Sequence, residues 1–509
     1  MTTPPVASPP APTLAARRLG LHTRDEALVL LAAGSPVCRS EGLAPRARVL
    51  LRGRGGETIA TLLQVADGLI AEGEAGLSEA AWKRLGVQDG EPVSISHPGP
   101  LESAAALRRR IFGHPLGRRE LTVLIREIAE GRLSEIQIAA FLSACTARPL
   151  EEAEILDLTQ AMVDAGERLS WPAAARVFDK HSVGGLPGNR TSPLVVAIVA
   201  AHGLPIPKTS SRAITSPSGT ADTMETLTRV DLDLVDIRRV VEAEHGCLAW
   251  GGSMRLSPAD EMLIRVERAL DIDPEGQLVA SVLSKKIAAG ASHTLIEMPV
   301  GPTAKVRDDE AAARLKLRLE RVGGSLGMEV QVLVTDGSQP VGRGIGPALE
   351  ARDLLAVFQG AADAPADLGA KACRLAGLLL EAGGVAPPGL GEAEAAATLR
   401  DGRAWAKFQA ICRAQGMLKE PPVAAWRHAL ESAGSGVVAA IDNRRLARLA
   451  KLAGAPDSPA AGLELHVRLG DRVEAGQPLL TLHAESSGEL DYALAYAAGE
   501  LDVVRVAPL

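Results

Sequence analysis

The stretch Asp179-Lys180-His181-Ser182-Val183-Gly184-Gly185-Leu186-Pro187-Gly188-Asn189-Arg190-Thr191-Ser192 holds residue types suited to gripping a small oxyanion. A β-like run, VFDK, leads into it. A helix is expected from about Thr191 or Ser192, with Pro193 in its first turn. The glycines let backbone N–H groups approach an anion closely. The helix start adds partial positive charge, and Lys180 adds a full one. Glycines alone fit an ordinary strand-to-helix turn; Lys-His-Ser set against them moves the reading towards phosphate binding. A second stretch, Lys208-Thr209-Ser210-Ser211-Arg212-Ala213-Ile214-Thr215-Ser216-Pro217-Ser218-Gly219-Thr220, is rich in hydroxyls and carries two cations, with the helix ADTMETL after it. It reads either as the other half of an oxyanion cage or as a solvated loop with N-cap residues.

Five segments in order, DKHSVGG, KTSSRAITSPSGTADTMETL, LSPAD, SVLSKKIAAG and VGPTAK, resemble the thymidine/pyrimidine nucleoside phosphorylases. The likeness is greatest to the long (type 2) branch, which holds AMP phosphorylases and proteins named thymidine phosphorylases, and it spans roughly residues 108 to 509. The resemblance implies that Lys180, Ser182, Ser210 and Thr220 hold inorganic phosphate, with Ser192 as a helper. Gly185 and the run Ser211, Arg212, Ala213, Ile214, Thr215 and Ser216 would form the substrate loop. Arg268, Ser281 and Lys285 would bind the base, with His181 near its carbonyl. Asp273 would be the proton donor and Lys305 a further substrate contact. The chain departs from the short-chain enzymes at Pro187-Gly188-Asn189-Arg190, at Ala213 where they carry glycine, and in the shorter spacing from Arg268 to Ser281.

The implied reaction is reversible phosphorolysis of an N-glycosidic bond: thymidine and phosphate to thymine and 2-deoxyribose 1-phosphate. The alternative is a nucleoside 5'-monophosphate such as AMP, giving ribose 1,5-bisphosphate. Phosphate is a co-substrate; no cofactor and no metal site is expected. Positioning and charge stabilisation would supply most of the rate. A proton must also reach the departing base, with Asp273 and His181 as candidates. Residue by residue, plainer readings stand beside these. Asp273 precedes Pro274 and suits a turn, His181 suits a loop histidine bonded to backbone, and Lys286 suits a solvated helix face. A 5'-phosphate would need a second anion pocket, for which Arg190, Arg212 and Lys305 are candidates. Arg212 fits an internal ion pair equally well.

The elements that must position these residues point to a multidomain α/β protein. A disordered Pro-rich lead is expected over 1–18. An N-terminal β-rich domain follows over 19–105, with EALVLLAA, ARVLLRG, ETIATLLQVADGLIA and EPVSISHPG as its strands. A small helical subdomain is expected over 108–172 and 258–287. In it Leu121, Leu124, Ile125 and Ile128 repeat at helical spacing, and Ser134 with Gln137 forms a capping-box pattern. Strand–helix alternation marks a larger α/β sheet domain over 173–257 and 288–430. A C-terminal α+β module completes the chain over 431–509. By family likeness the site lies between the helical subdomain and the α/β domain, and the protein is a homodimer or larger homo-oligomer.

The 509 residues are 46% hydrophobic and 23% charged, with a net charge of -7 and no basic run. A nucleic-acid partner is therefore not expected. The five scattered cysteines form no C-x-x-C pair, and the start lacks signal-peptide order, which suits a reducing cytoplasm. The longest apolar run is too short for a membrane span. Two rivals remain. Gly342-Arg343-Gly344-Ile345-Gly346 before a helix suggests a dinucleotide-binding oxidoreductase, but its spacing is not G-x-G-x-x-G. The tail VRLGDRVEAGQPLLTLHAES resembles a biotinyl or lipoyl carrier yet contains no lysine to modify.

Overall fold

The computed structural model describes residues 13–23, 26–66, 68–213, 216–254, 256–499 and 503–508. The chain forms two compact units, Met1–Arg148 and Pro149–Leu509.

In the first unit, six strands close into a barrel: β1 (Thr13–Arg18), β2 (Leu28–Ala32), β3 (Arg48–Gly53), β4 (Gly56–Val65), β5 (Glu74–Leu77) and β6 (Pro92–Ser96). Val29, Leu31, Val49, Leu51, Ala60, Leu62, Val93 and Ile95 are buried at alternate positions, as the two-residue period of a strand requires. The sequence predicts β2, β3, β4 and β6 but neither β1 nor β5. β1 overturns part of the expected disordered lead: Leu14 and Ala16 are buried in the barrel, while residues 1–12 lie outside the described residues. Helices α1 (Pro36–Ser40), α2 (Glu79–Leu85), α3 (Ala104–Ile111), α4 (Arg118–Ala129) and α5 (Glu135–Ala147) complete the unit. α4 buries the four residues at helical spacing, Leu121, Leu124, Ile125 and Ile128. The capping box forms at α5: Gln137 N donates to Ser134 Oγ at 3.3 Å, and Ser134 N donates to Gln137 Oε1 at 2.8 Å.

The second unit opens with α6 (Glu152–Asp164). It then alternates through β7 (Phe178–Ser182), α7 (Thr191–Ala201), β8 (Ile206–Ser210), α8 (Thr220–Glu225), α9 (Leu234–Glu244), β9 (Gly246–Trp250), α10 (Pro258–Leu270), α11 (Glu275–Ala288), β10 (His293–Val300), α12 (Asp309–Ser325) and β11 (Glu329–Asp336). β11, β10 and β7 pair in parallel, as do β8 and β9. Phe178 N donates to Pro205 O at 2.8 Å and joins the two sheets. α7 is apolar on every side and wholly buried from Leu194 to Ala200. Such a helix must be covered all round; α14 (Ala366–Ala382) and α16 (Arg403–Gln415) pack on it, after β12 (Gly344–Ile345), α13 (Pro347–Gln359) and with α15 (Gly391–Arg400) between.

The C-terminal sheet pairs Gly344–Ile345, Gly462–Leu465, Pro478–Ala484 and Trp426–Glu431 in that order, with helices Asn443–Leu452 and Ser487–Gly499 beside it. Its edge strand thus comes from inside the α/β segment, and its first strand begins at Trp426, ahead of the expected boundary. All five cysteines are buried. Among the described residues no helix is long and apolar enough to cross a membrane.

Candidate active site

β7 carries Lys180 to the start of α7. Its ammonium group is 1% exposed, donates to Thr191 Oγ1 at 2.8 Å and lies 3.5 Å from Ser192 Oγ. Burial lowers the Lys180 pKa to about 8, against the pull of Glu297 at 3.5 Å. Glu297, on β10, is fully buried; Lys371 reaches it at 2.6 Å, and Asn189 Nδ2 donates to both its oxygens at 3.0 and 2.9 Å. Burial alone would raise this carboxyl, but Lys180 and Lys371 overcome it and hold the pKa at about 2. Asn189 also donates to Ser182 Oγ at 3.4 Å. The loop after β7 is therefore fixed from beneath by an anion that sequence reading did not single out.

A second buried cluster adjoins it. Asp179 takes Lys286 Nζ at 2.7 Å and stands 3.6 Å from Lys208 Nζ. Lys286 is 2% exposed, so the expected solvated position is wrong: α11 packs this face against β7. Burial brings the Lys208 pKa down to about 7 despite Asp179. Four lysines, 180, 208, 286 and 371, thus share two carboxylates, Asp179 and Glu297. The cluster has excess positive charge. Beside it the Ser210 hydroxyl, at the end of β8, is buried without a hydrogen-bond partner. Burial, then Lys286, Lys208, Lys285 and Lys180, push His181 well below the ordinary imidazole range, so at neutral pH it is uncharged.

Arg190 ties the two loops together. It donates to Glu350 Oε2 at 2.6 Å, to Thr220 Oγ1 at 3.0 Å and to Ser218 O at 2.8 Å. Asp222, in the first turn of α8, accepts from Ala213 N at 2.6 Å and Gly219 N at 2.8 Å, folding the hydroxyl-rich loop back on its helix. A Cβ at Gly219 would lie 2.6 Å from Ser211 O. Arg212 is engaged by Glu225, with a 2.9 Å bond to Oε1, and by Asp222 at 3.4 Å, and it lies 4.8 Å over the Trp250 ring. Ser211 is exposed, and Ser216 Oγ donates to Ser218 O at 2.8 Å. Ile214 and Thr215 lie outside the described residues.

On the expected base side, α11 presents Ser281 and Lys285. Lys285 Nζ donates to Ser281 Oγ at 3.0 Å and to Asp260 Oδ2, on α10, at 2.7 Å. Arg268 does not join them: it is exposed on another face of α10, where its charge acts on Lys451. Lys305 pairs with Asp273, whose side chain is 42% exposed. The Lys305 backbone also touches the first loop. Gly185 has φ +82, and a Cβ there would clash with Lys305 N. Gly185→Ala is therefore expected to shift this contact and lower kcat/KM about 10²-fold, by analogy with small misplacements in other sites, measurable by steady-state kinetics.

Glu297, Asn189, Lys371, Glu350 and Asp222 were not singled out from sequence. Glu297, Lys371 and Glu350 each lie alone in an ordinary segment; Asn189 and Asp222 fall inside the quoted segments, but no role was given to them. The oxidoreductase rival fails on geometry. Asp353 occupies the amides of Arg343 and Gly344 at 2.6 and 2.8 Å, so that glycine turn has no N–H left there for a dinucleotide.

Comparison with known proteins agrees with this architecture. Residues 104–166 match the helical bundle domain of a glycosyl transferase family, 174–405 match the a/b domain of the glycosyl transferase family, and 437–503 match a pyrimidine nucleoside phosphorylase C-terminal domain. A protein named "Putative thymidine phosphorylase" from Chelativorans sp. (strain BNC1) is 57% identical over 98% of each chain. One of the same name from Parvibaculum lavamentivorans is 55% identical over 98% of this chain and 99% of its own. The crystal structure of anthranilate phosphoribosyltransferase from Thermus thermophilus shares the fold, with TM-score 0.51 and 21% identity over 61% of this chain and 99% of that one. With two buried loop anchors converging on one cluster of lysines and a near full-length match at this identity, the chain belongs to the thymidine/pyrimidine nucleoside phosphorylase family and is a pentosyltransferase with nucleoside phosphorylase activity.

Proposed function

We propose that the protein catalyses reversible phosphorolysis of thymidine, giving thymine and 2-deoxyribose 1-phosphate. The observation that carries this reading is the excess of buried lysines over carboxylates beside the unpartnered Ser210 hydroxyl. A phosphate dianion would complete both, because a buried charge needs a partner and a buried hydroxyl needs a bond. Lys180, Ser182, Ser210 and Thr220, with Ser192, hold the phosphate in line with the anomeric carbon. A phosphate oxygen bonds that carbon as the C–N electron pair leaves with the base. Ser281 and Lys285 hold the base and offset its developing negative charge. Neutral His181 can donate an N–H to a base carbonyl without adding a competing cation. Asp273 stands on the base side beside Lys305.

The choice of a nucleoside over a nucleotide rests on charge. Arg190, Arg212 and Lys305, the candidates for holding a 5'-phosphate, are each paired with a carboxylate: Glu350, Glu225 and Asp273 respectively. A second anion would have to displace one of these partners. The test is base release with and without inorganic phosphate over thymidine, uridine, adenosine and their 5'-monophosphates. The expected result is phosphate-dependent release from thymidine, with kcat/KM at least about tenfold above that of its 5'-monophosphate, a difference of about 1.4 kcal/mol. Preference for AMP would overturn the substrate assignment, and release independent of phosphate would overturn the reaction.

A further inference from the structure

Asn189 and Arg190 fall where the chain departs from the short-chain pattern, and each is a donor anchored on a buried carboxylate. Asn189 Nδ2 donates to the Glu297 oxygens at 3.0 and 2.9 Å and to Ser182 Oγ at 3.4 Å. Glu297 is ionised, with its pKa held at about 2, and a carboxylate only accepts. The NH2 end of the amide must therefore face it, and the second N–H is left for Ser182. Arg190 Nε donates to Glu350 Oε2 at 2.6 Å, Nη1 to Thr220 Oγ1 at 3.0 Å and Nη2 to Ser218 O at 2.8 Å. Thr223 Oγ1 donates to the same Glu350 oxygen at 2.8 Å and fixes the anchor. A guanidinium has no acceptor, so Thr220 can only accept from it. Among the described residues, the Ser182 and Thr220 hydroxyls accept these bonds and donate none.

We propose that Asn189 and Arg190 are positioning residues: each occupies the oxygen of one hydroxyl and leaves its hydrogen free for phosphate. This rests on the phosphorolysis reading above. A hydroxyl carries one donor and two acceptor sites and rotates to suit its neighbours. With a donor-only group on its oxygen, the O–H of Ser182 must turn away from Asn189, and that of Thr220 away from Arg190. Two donors are thus set before the anion arrives, rather than reoriented by it. The benefit belongs to phosphate and not to the nucleoside. Glu297 and Glu350 act one step further back, by holding the two donors in place.

The test measures phosphate affinity by titration calorimetry without nucleoside, and the KM values for phosphate and thymidine in turnover. It compares Ser182→Ala, Thr220→Val, Asn189→Ala and the pair Arg190→Met with Glu350→Gln, separately and combined. R190M alone would strand the buried Glu350, so E350Q accompanies it, and circular dichroism checks that each variant is folded. N189A and R190M/E350Q should each weaken phosphate binding about tenfold, with the KM for thymidine within about twofold of wild type. Adding N189A to S182A, or R190M/E350Q to T220V, should cost little more than the hydroxyl variant alone, because the donor has lost the group it acts through. The crossed combinations, N189A with T220V and R190M/E350Q with S182A, should multiply their losses. Matched combinations that multiply as the crossed ones do, or a rise in the KM for thymidine equal to that for phosphate, would overturn the assignment. A wild type that neither binds phosphate nor needs it for base release would instead overturn the reaction beneath it.

Discussion

Lys180→Met lowers phosphate-dependent base release about 10³-fold, as expected for a buried charge aimed at the nucleophile. Methionine keeps most of the side-chain volume, so α7 stays in place. Glu297 retains Lys371 at 2.6 Å and both Asn189 bonds, so the fold survives the loss of one cation. The effect should therefore fall on the KM for phosphate and on kcat, with thermal unfolding little changed. The same lysine gives a pH signature. Its pKa is lowered to about 8, so the cation is present below that value and lost above it. The kcat/KM for phosphate should then fall as pH rises through about 8, and in K180M that limb should vanish. A variant within tenfold of wild type would show that phosphate sits elsewhere.

Glu297→Ala is expected to have the largest effect on stability. It removes the carboxylate shared by Lys180 and Lys371 and the acceptor of the Asn189 amide and the Thr335 hydroxyl, the last at 3.1 Å. Breaking a buried pair from one side typically costs about 3–5 kcal/mol, because the surviving charge stays buried. Denaturant unfolding followed by circular dichroism measures this. Phosphate should stabilise the variant more than wild type, since the anion replaces part of the missing charge. The Glu297 carboxyl is held at about 2, below its ordinary 4.5. Its contribution is therefore complete above the ordinary value and lost as pH falls through about 2. The gap between variant and wild type should narrow in that acid range, where the carboxylate is protonated. An equal response of both proteins to phosphate would separate the lysine cluster from the anion.

Much of the scaffold was legible because it follows from local rules. Ser134 with Gln137 marks one helix start, and Thr191 with Pro193 in its first turn marks another. β1 was missed because its short run follows prolines and gains its meaning only when Leu14 and Ala16 meet the barrel interior. Lys286 was read as solvated because helix periodicity does not say which neighbouring strand covers a face.

The sequence by itself determined the strand–glycine–helix turn after Lys180 and the hydroxyl-rich stretch from Lys208 to Thr220, since φ preferences, caps and side-chain donors are properties of each segment alone. Tertiary structure decided which charges meet. It brought Glu297 from β10 under Lys180 and set Glu350 against Arg190. The reason is that an ion pair depends on the distance and direction between side chains far apart in the chain. Those are fixed only when strands align in register and helices settle on them at a particular rotation.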